Sequence, residues 1–574
     1  MDRDQEVEVL SDEPSLRGNY VSSSITKNNH GCIIEQSIYD NEYAETIVTA
    51  PEEPYTFDFT QQAEHLMRAT EFHKDLEMMN EAPVYTCDNR EPAGTPASLF
   101  AVFPVFAADI SEENPTATYE GKCFEEITFE YTGISETQFE VMVHTRKPKS
   151  MLCSDVLFFA NTEIAHVEPL FWRGKHKITF NMKDAITQAD VGYGGIKAFA
   201  FCEGVIPSIE SLWTTFKAFF GACGMGPCKP KLPIIGWKVP AYMEKANVEF
   251  LEQSMNYVME KRPITKVEID PDTIQSGDFF GAVRLDGTSP IIMYGTGARI
   301  SHCIMALRID GELYIIESTD GGYNVQHGIM RTKWADWIEL KEKTSYHVVH
   351  LPLTPEAAAK FDADKALEFF ESVEGLPYGY HNFLFGWIDQ PNSSYPPLLP
   401  HELVPVAVSL MEKVAPKAAF NDFNEALNKR LNTTEDLMIA EIAMLAAAQG
   451  MSVQDVMAMP EIDGWEYHGI EPRDGRSMVC SAFTTSVYKA AGLFDDLEIN
   501  AVEFQPRDAT DLAFFQKNPV RPQACIDADP DEKYCQLLGN YRIHLTNVGT
   551  VEPYAHMNER CGTNWPSYSR DDNC

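Results

Sequence analysis

A two-residue turn near the middle of the chain constrains the fold more than any other feature. Asp310 and Gly311 separate two apolar runs, and this dipeptide in such a position is a strong signal for a β-hairpin. If these two residues form the turn, Ile309 faces Glu312, and every pair further out is fixed by counting. The sequence therefore predicts an antiparallel hairpin over residues 300–320.

The register of this hairpin places a histidine near an acid. Counting outward pairs Ile304 with Glu317 and His302 with Thr319. Because side chains alternate between faces, His302 and Glu317 are diagonal neighbours on one face, at roughly the 7 to 8 Å between backbones that a glutamate can bridge. Cys303 is on the opposite face and is predicted not to be a nucleophile. A histidine beside an acid is more often a structural pair, so this pair alone does not indicate catalysis.

A second segment supplies a candidate nucleophile. Residues 477–492 carry apolar side chains every four positions, which predicts a helix with Ser477 as its N-cap and Gly492 as its C-terminal stop. Cys480 then occupies about the third helical position, where unpaired amides and the helix dipole stabilise a thiolate. A buried structural cysteine is the commoner role for such a residue. With His302 elsewhere in the chain, however, a catalytic thiol becomes the favoured interpretation.

Nucleophilic thiol catalysis needs a thiolate, an imidazole that moves the proton, and a polar group that orients the imidazole. The predicted catalytic residues are therefore Cys480, His302 and Glu317, with Thr319 as the alternative orienting group. No cofactor is expected from this chemistry.

The order of these segments resembles a known family. A histidine-bearing hairpin comes first and a Cys-Ser helix last, with the segment at residues 377–385 between them. This order is similar to that of the circularly permuted papain-like thiol hydrolases, which are relatives of the NlpC-type cell-wall peptidases and of the lecithin retinol acyltransferase-like enzymes. The resemblance covers about residues 270–500.

The resemblance implies roles for individual residues. Cys480 matches the nucleophile, His302 the base and Glu317 the third polar position, while Tyr378 or Tyr380 matches the aromatic side chain near the thiol. It also implies a reaction at an amide, ester or thioester carbonyl through an acyl-cysteine intermediate. Further residues expected near the substrate or the oxyanion are Ser481 and Thr319.

The predicted function is accordingly a cysteine-dependent hydrolase of the peptidase or amidase type, with a peptide, amide or acyl-ester substrate. If an amine or alcohol replaces water, the same site is an acyltransferase. A third possibility is a catalytically silent scaffold in which a β-sandwich is the binding module.

No metal site is expected, because Cys223 and Cys228 form a lone pair, and His347 and His350 face opposite sides of a strand.

Composition divides the chain into five parts of a multi-domain α+β protein. The hydrolase part is expected to be a papain-like domain with an antiparallel sheet and helices, and period-two runs upstream of it predict a β-sandwich. The predicted parts are 1–90, acidic and largely disordered or loosely packed; 91–206, the β-sandwich; 207–265, a helical linker; 266–500, the permuted thiol hydrolase domain with a helical insertion at 395–462; and 501–574, a cysteine-containing tail.

Charge and cysteine usage bear on partners and location. The formal net charge of −40 argues against binding of nucleic acid by the protein as a whole. No run of apolar residues is long enough to span a bilayer, and an aromatic stripe at residues 209–220 is interpreted as core-facing. The acidic start favours a cytoplasmic location. If a leader is missing, the protein is secreted, and the tail cysteines (Cys525, Cys535, Cys561 and Cys574) form two disulfides. The oligomeric state is left open.

Overall fold

The computed structural model describes residues 104–201, 238–319, 328–381 and 401–553, with short internal gaps, together with the backbone of three strands between residues 20 and 49. Three predictions lie outside these residues: the aromatic stripe at 209–220, the pair of Cys223 and Cys228, and any disulfide of Cys561 and Cys574. The described chain is an α+β protein built on antiparallel sheets, as the sequence predicts.

The elements are named here in chain order. The strands are β1 (Tyr20–Lys27), β2 (Ile33–Tyr39), β3 (Ala44–Thr49), β4 (Val105–Ile110), β5 (Thr116–Tyr119), β6 (Phe124–Ile134), β7 (Gln138–Pro148), β8 (Asp155–Ala160), β9 (Ala165–Leu170), β10 (Gly174–Asn181), β11 (Ile196–Phe201), β12 (Phe279–Arg284), β13 (His302–Ile309), β14 (Glu312–Thr319), β15 (Gly328–Lys333), β16 (Tyr346–Leu351) and β17 (Cys535–Leu538). The helices are α1 (Ala185–Gly194), α2 (Ala241–Met255), α3 (Thr288–Thr296), α4 (Trp334–Lys343), α5 (Pro355–Lys360), α6 (Ala363–Val373), α7 (Val404–Val414), α8 (Pro416–Ala419), α9 (Glu425–Arg430), α10 (Ile439–Ala448), α11 (Val453–Met457), α12 (Cys480–Ala490), α13 (Pro506–Asp511) and α14 (Gln523–Ala528). A π-helical turn (Phe420–Asn424) separates α8 from α9, and three 3₁₀ turns lie at Pro271–Thr273, His401–Leu403 and Ala501–Glu503.

Near the N-terminus, β1, β2 and β3 form an antiparallel sheet of their own. The polar, acidic composition of the first ninety residues does not predict these strands, because they lack the alternation of apolar and polar residues that marks a half-buried strand.

The β-sandwich is present between residues 104 and 201. Its two sheets have the strand orders β10-β7-β6-β5 and β4-β11-β8-β9, and their inner faces share one apolar core. The alternation over β6, β7, β10 and β11 marks these strands in the sequence. Strand β8 is a nearly continuous apolar run instead, because its outer face is also covered: Phe158 and Phe199 pack against Leu403, which precedes α7.

A six-stranded sheet with the order β15-β14-β13-β12-β16-β17 carries the candidate site. The hairpin of β13 and β14 has the predicted register, from Met305 opposite Ile316 to Ile309 opposite Glu312. Its turn residues Asp310 and Gly311 both have positive φ, as this tight turn requires. Helix α12 packs on one face of the sheet, and α4 contributes to the apolar cluster on the other.

The sheet does not end at residue 500. Strand β17 pairs with β16 and is linked by the Cys525–Cys535 disulfide to α14. The segment predicted to be a tail therefore supplies an edge strand of the main sheet, and only one predicted disulfide lies within the described residues.

The helical insertion between Tyr380 and Cys480 has its own apolar core. Helix α10 begins at Ile439, where Glu441 accepts a hydrogen bond from the Met438 amide (2.9 Å) and so closes the first turn. Gly450 follows the last turn with a φ of +75°, a left-handed conformation that commonly ends a helix. In the part of the chain that the structure describes, every helix is too short or too polar to cross a bilayer.

Candidate functional site

The start of β13 brings His302 next to Glu317. Nε2 of His302 donates a hydrogen bond to Oε2 of Glu317 across 2.7 Å, so the diagonal contact predicted from the register is present. Both side chains are buried, with His302 9% and Glu317 0% exposed. Because Nε2 is engaged by the carboxylate, Nδ1 is the ring nitrogen left for a second partner.

Glu317 is held by two further groups from α4. Trp337 donates from Nε1 to Oε1 (3.0 Å), and the Lys341 ammonium lies 3.1 Å from Oε2. Lys341 is 0% exposed and also lies over the ring of Tyr346, with Nζ 4.5 Å from its centroid. Burial raises the pKa of Glu317, but the charge of Lys341 and the hydrogen bond from His302 outweigh this effect and lower the pKa to about 2. Glu317 is therefore a carboxylate at neutral pH.

Cys480 begins helix α12, which corrects its predicted position. Val479 occupies the cap position in an extended conformation, and Cys480 is the first helical residue rather than about the third. The hydroxyl of Ser477 is buried and has no hydrogen-bond partner among the described residues, so Ser477 is not the N-cap. The electrostatic reason for the prediction still applies, because a side chain in the first helical turn faces the unpaired amides and the positive end of the dipole.

Contacts with the sheet fix the start of α12. The Ser318 hydroxyl donates to the Met478 carbonyl (2.7 Å), and the Gly379 amide donates to the same oxygen (3.1 Å). At the other end of the helix, the Tyr488 hydroxyl donates to the Gly277 carbonyl (2.8 Å). Cys480 is therefore held over the beginning of β13, with its Sγ 4.0 Å from the Ser301 carbonyl oxygen.

The charges of the site favour an ion pair between Cys480 and His302. A hydrogen bond from the Cys303 thiol, with the hydrogen bond and positive charge of His302, holds the pKa of Cys480 well below its ordinary value despite burial. Burial lowers the pKa of His302, but its hydrogen bonds with Cys480 and Glu317 outweigh this and raise the pKa to about 9. Both shifts favour the thiolate–imidazolium pair over the neutral thiol and imidazole.

The other predicted site residues lie near this pair to different degrees. Tyr378 forms a parallel bridge with Met478, and its ring is 4.9 Å from that of Tyr380, so both tyrosines lie beside the start of α12. Ser481 follows Cys480 in the first turn and is buried. Thr319 is also buried, but its hydroxyl has no hydrogen-bond partner among the described residues, so the orienting group on His302 is Glu317.

Three residues of the site are not predicted by the sequence reasoning. Cys303 is on the opposite face from His302, as the register indicates, but that face packs against α12, and its thiol contacts Cys480. Trp337 and Lys341 are missed because they become neighbours of Glu317 only when α4 docks on the sheet. Their spacing of four residues puts them on one helix face and is the signal that could have indicated them.

Two further histidines lie on β16. His350 donates to Asp278 (2.9 Å), while the ring of His347 lies near Tyr541, so the two histidines face opposite sides of β16 as predicted. Within the described residues, no group of three or more His, Cys, Asp or Glu side chains is arranged to hold a metal ion.

Comparison of the chain with protein-family models, with curated proteins and with solved structures found no match.

Proposed function

We propose that this chain is a cysteine-dependent hydrolase of the permuted papain-like type, which acts on an amide or ester carbonyl through an acyl-cysteine intermediate. One observation carries the proposal: a single buried cluster contains a cysteine that begins a helix over the start of β13, an imidazole, and a carboxylate bonded to that imidazole. The permuted form is proposed because His302 precedes Cys480 in the sequence.

In the proposed reaction the Cys480 thiolate attacks the carbonyl carbon, which forms a C–S bond and an oxyanion. Amide groups at the start of α12 are suited to stabilise the oxyanion, since the first amides of a helix have no partner within it. The intermediate then breaks the bond to the leaving group, which takes a proton from His302. Water attacks the thioester, returns a proton to His302 and releases the acid, while Glu317 keeps the imidazole oriented.

Acyl transfer to an amine or alcohol is the second candidate function. Acyl transfer uses the same residues as hydrolysis. The low exposure of Cys480 (4%) supports this function, because a site that excludes water protects an acyl-cysteine from hydrolysis.

The test is to trap the intermediate. The full-length chain is incubated with p-nitrophenyl esters of increasing acyl length and with peptide anilides, and the adduct is located by peptide mass spectrometry. We expect an acyl group on Cys480 that hydroxylamine removes, and no adduct at this position in Cys480→Ser or His302→Ala. Release of free acid identifies a hydrolase, whereas transfer to an added amine or alcohol identifies an acyltransferase. A folded protein with no adduct on Cys480 from any donor would instead indicate a silent scaffold.

A further inference from the structure

The tip of the loop between β9 and β10, which crosses from one sheet of the sandwich to the other, exposes two adjacent aromatic side chains. Phe171 and Trp172 are 53% and 65% exposed, and their ring centroids are 6.3 Å apart in a stacked arrangement. Exposure of two large aromatic side chains at one position is costly in water and typical of a surface that is covered in use. Tryptophan in particular has an apolar body with a polar N–H, which suits the boundary between a bilayer and water.

The backbone of this tip is fixed, so the exposure is not caused by a loose loop. The buried Thr145 hydroxyl donates to the Trp172 carbonyl (3.0 Å) and accepts from the Gly174 amide (2.9 Å). The His176 ring also contacts the same carbonyl through Nε2 (3.1 Å) and lies 5.8 Å from the Trp172 ring. The rings are therefore presented to solvent in a preformed arrangement, which reduces the entropy lost on binding.

The same tip carries positive charge on a strongly acidic protein. Arg173 and Lys175 are exposed, and among the described residues no carboxylate lies within 4.0 Å of either cation. On the adjacent strand β7, Arg146 and Lys147 share the single carboxylate of Glu126, at 3.4 Å and 3.5 Å. The tip thus carries two cations without a carboxylate partner among the described residues, although the chain as a whole has a net charge of −40.

We propose that the loop tip formed by Phe171, Trp172, Arg173 and Lys175 docks the protein on an anionic lipid bilayer. The aromatic rings enter the interfacial layer, and the two cations contact anionic headgroups. Repulsion from the rest of the protein does not prevent this, because charges more than about 8 Å from the surface are largely screened at physiological salt. The exposed, uncompensated cations Arg173 and Lys175 beside the two rings favour an anionic surface as the partner. The proposal does not depend on the chemistry at Cys480.

The test is sedimentation of the full-length protein with vesicles of pure phosphatidylcholine or of phosphatidylcholine with phosphatidylserine. We expect binding to the anionic vesicles that weakens as salt is raised. Each cation near an anionic membrane is worth roughly fivefold in partitioning, so Arg173→Gln/Lys175→Gln is expected to lower it about 30-fold. Phe171→Ala/Trp172→Ala is expected to abolish binding at all salt concentrations.

A matched control removes two positive charges elsewhere. Lys360 and Lys365 are exposed but lie 2.7 Å and 3.4 Å from carboxylates, so Lys360→Gln/Lys365→Gln is expected to leave vesicle binding unchanged. Equal binding to both kinds of vesicle, or binding that survives both tip variants, overturns the proposal. Retention on immobilised heparin that the tip variants lose, without vesicle binding, also overturns it and assigns the tip to an anionic polysaccharide.

Discussion

Replacing Glu317 by glutamine is expected to destabilise the domain that carries the candidate site by about 3–5 kcal/mol. The change keeps the shape of the side chain but removes its charge, which leaves the ammonium of Lys341 buried without a counter-ion. Removal of one partner from a buried ion pair costs about this amount, because the remaining charge is not compensated. Trp337 can still donate to the glutamine carbonyl, so loss of the charge dominates.

The pKa of Glu317 supports the same magnitude. Its folded pKa of about 2, against an ordinary 4.5, corresponds to about 3 kcal/mol of stability at neutral pH. Because the folded pKa is depressed, this contribution is present above pH 4.5 and is lost as the pH falls towards 2. The wild type is therefore expected to lose stability in this acid range more steeply than Glu317→Gln.

The measurement is urea unfolding followed by tryptophan fluorescence, with a matched control on the same strand. Glu312 also pairs with a lysine, Lys333 at 2.8 Å, but both side chains are about half exposed. Glu312→Gln is therefore expected to cost about 0–1 kcal/mol. With a slope of about 2 kcal/mol per molar urea, Glu317→Gln should lower the midpoint by about 1.5–2.5 M.

A double variant separates the lost charge from other effects of the substitution. Glu317→Gln/Lys341→Met has no unpaired buried charge and is expected to recover much of the lost stability. The reasoning is refuted if Glu317→Gln shifts the midpoint no further than Glu312→Gln, or if the double variant is less stable than the single one.

Three further predictions concern the site and its supports. Cys303→Ala removes the thiol that donates to Cys480, so the pKa of Cys480 is expected to rise. The measurement is the alkylation rate of Cys480 as a function of pH. An unchanged pH profile would contradict the contact between the two thiols. The rate of acyl transfer from an anilide is expected to fall above about pH 9, because His302 loses there the proton that it donates. The rate of Cys480 alkylation by iodoacetamide should not fall in this range, since it needs no acid. A parallel decline of both rates would exclude His302 as the acid. In thermal unfolding, Gly328→Ala is expected to destabilise the protein far more than Gly311→Ala. The new Cβ at position 328 would lie 2.1 Å from the Leu376 carbonyl oxygen. Gly311 faces open space, so Gly311→Ala is expected to cost only about 1 kcal/mol. Equal losses would show that the close approach of the two segments is relieved by movement.

The hairpin could be predicted from the sequence because its determinants are local. Asp310 and Gly311 fix the turn, and the turn fixes which residues face each other over the whole length of both strands. The contact between His302 and Glu317 follows from that count alone. The β-sandwich is predictable for a similar reason, since alternation in four of its strands repeats at regular intervals.

The parts that escaped prediction depend on docking between distant segments. Lys341 would be assigned to the surface by its charge, and its contact with Glu317, 24 residues away, compensates that charge in the interior. Ser477 looks like an N-cap by residue type, but the contacts of Met478 with Ser318 and Gly379 place the start of the helix at Cys480. From the sequence, strand β17 falls in the predicted tail, because a strand of four residues is too short to show a recognisable alternation of apolar and polar side chains.

The most direct test of the account is the rate of Cys480 alkylation by iodoacetamide as a function of pH, from about pH 4 to about pH 10, in the wild type and in His302→Ala. The reagent is small enough to test a thiol that is 4% exposed, and peptide mass spectrometry separates Cys480 from Cys303. We expect an apparent pKa well below the ordinary value for a thiol, and a return towards that value when the imidazole is removed. An unreactive Cys480, or one that titrates normally in both proteins, would contradict the proposed thiolate–imidazolium pair.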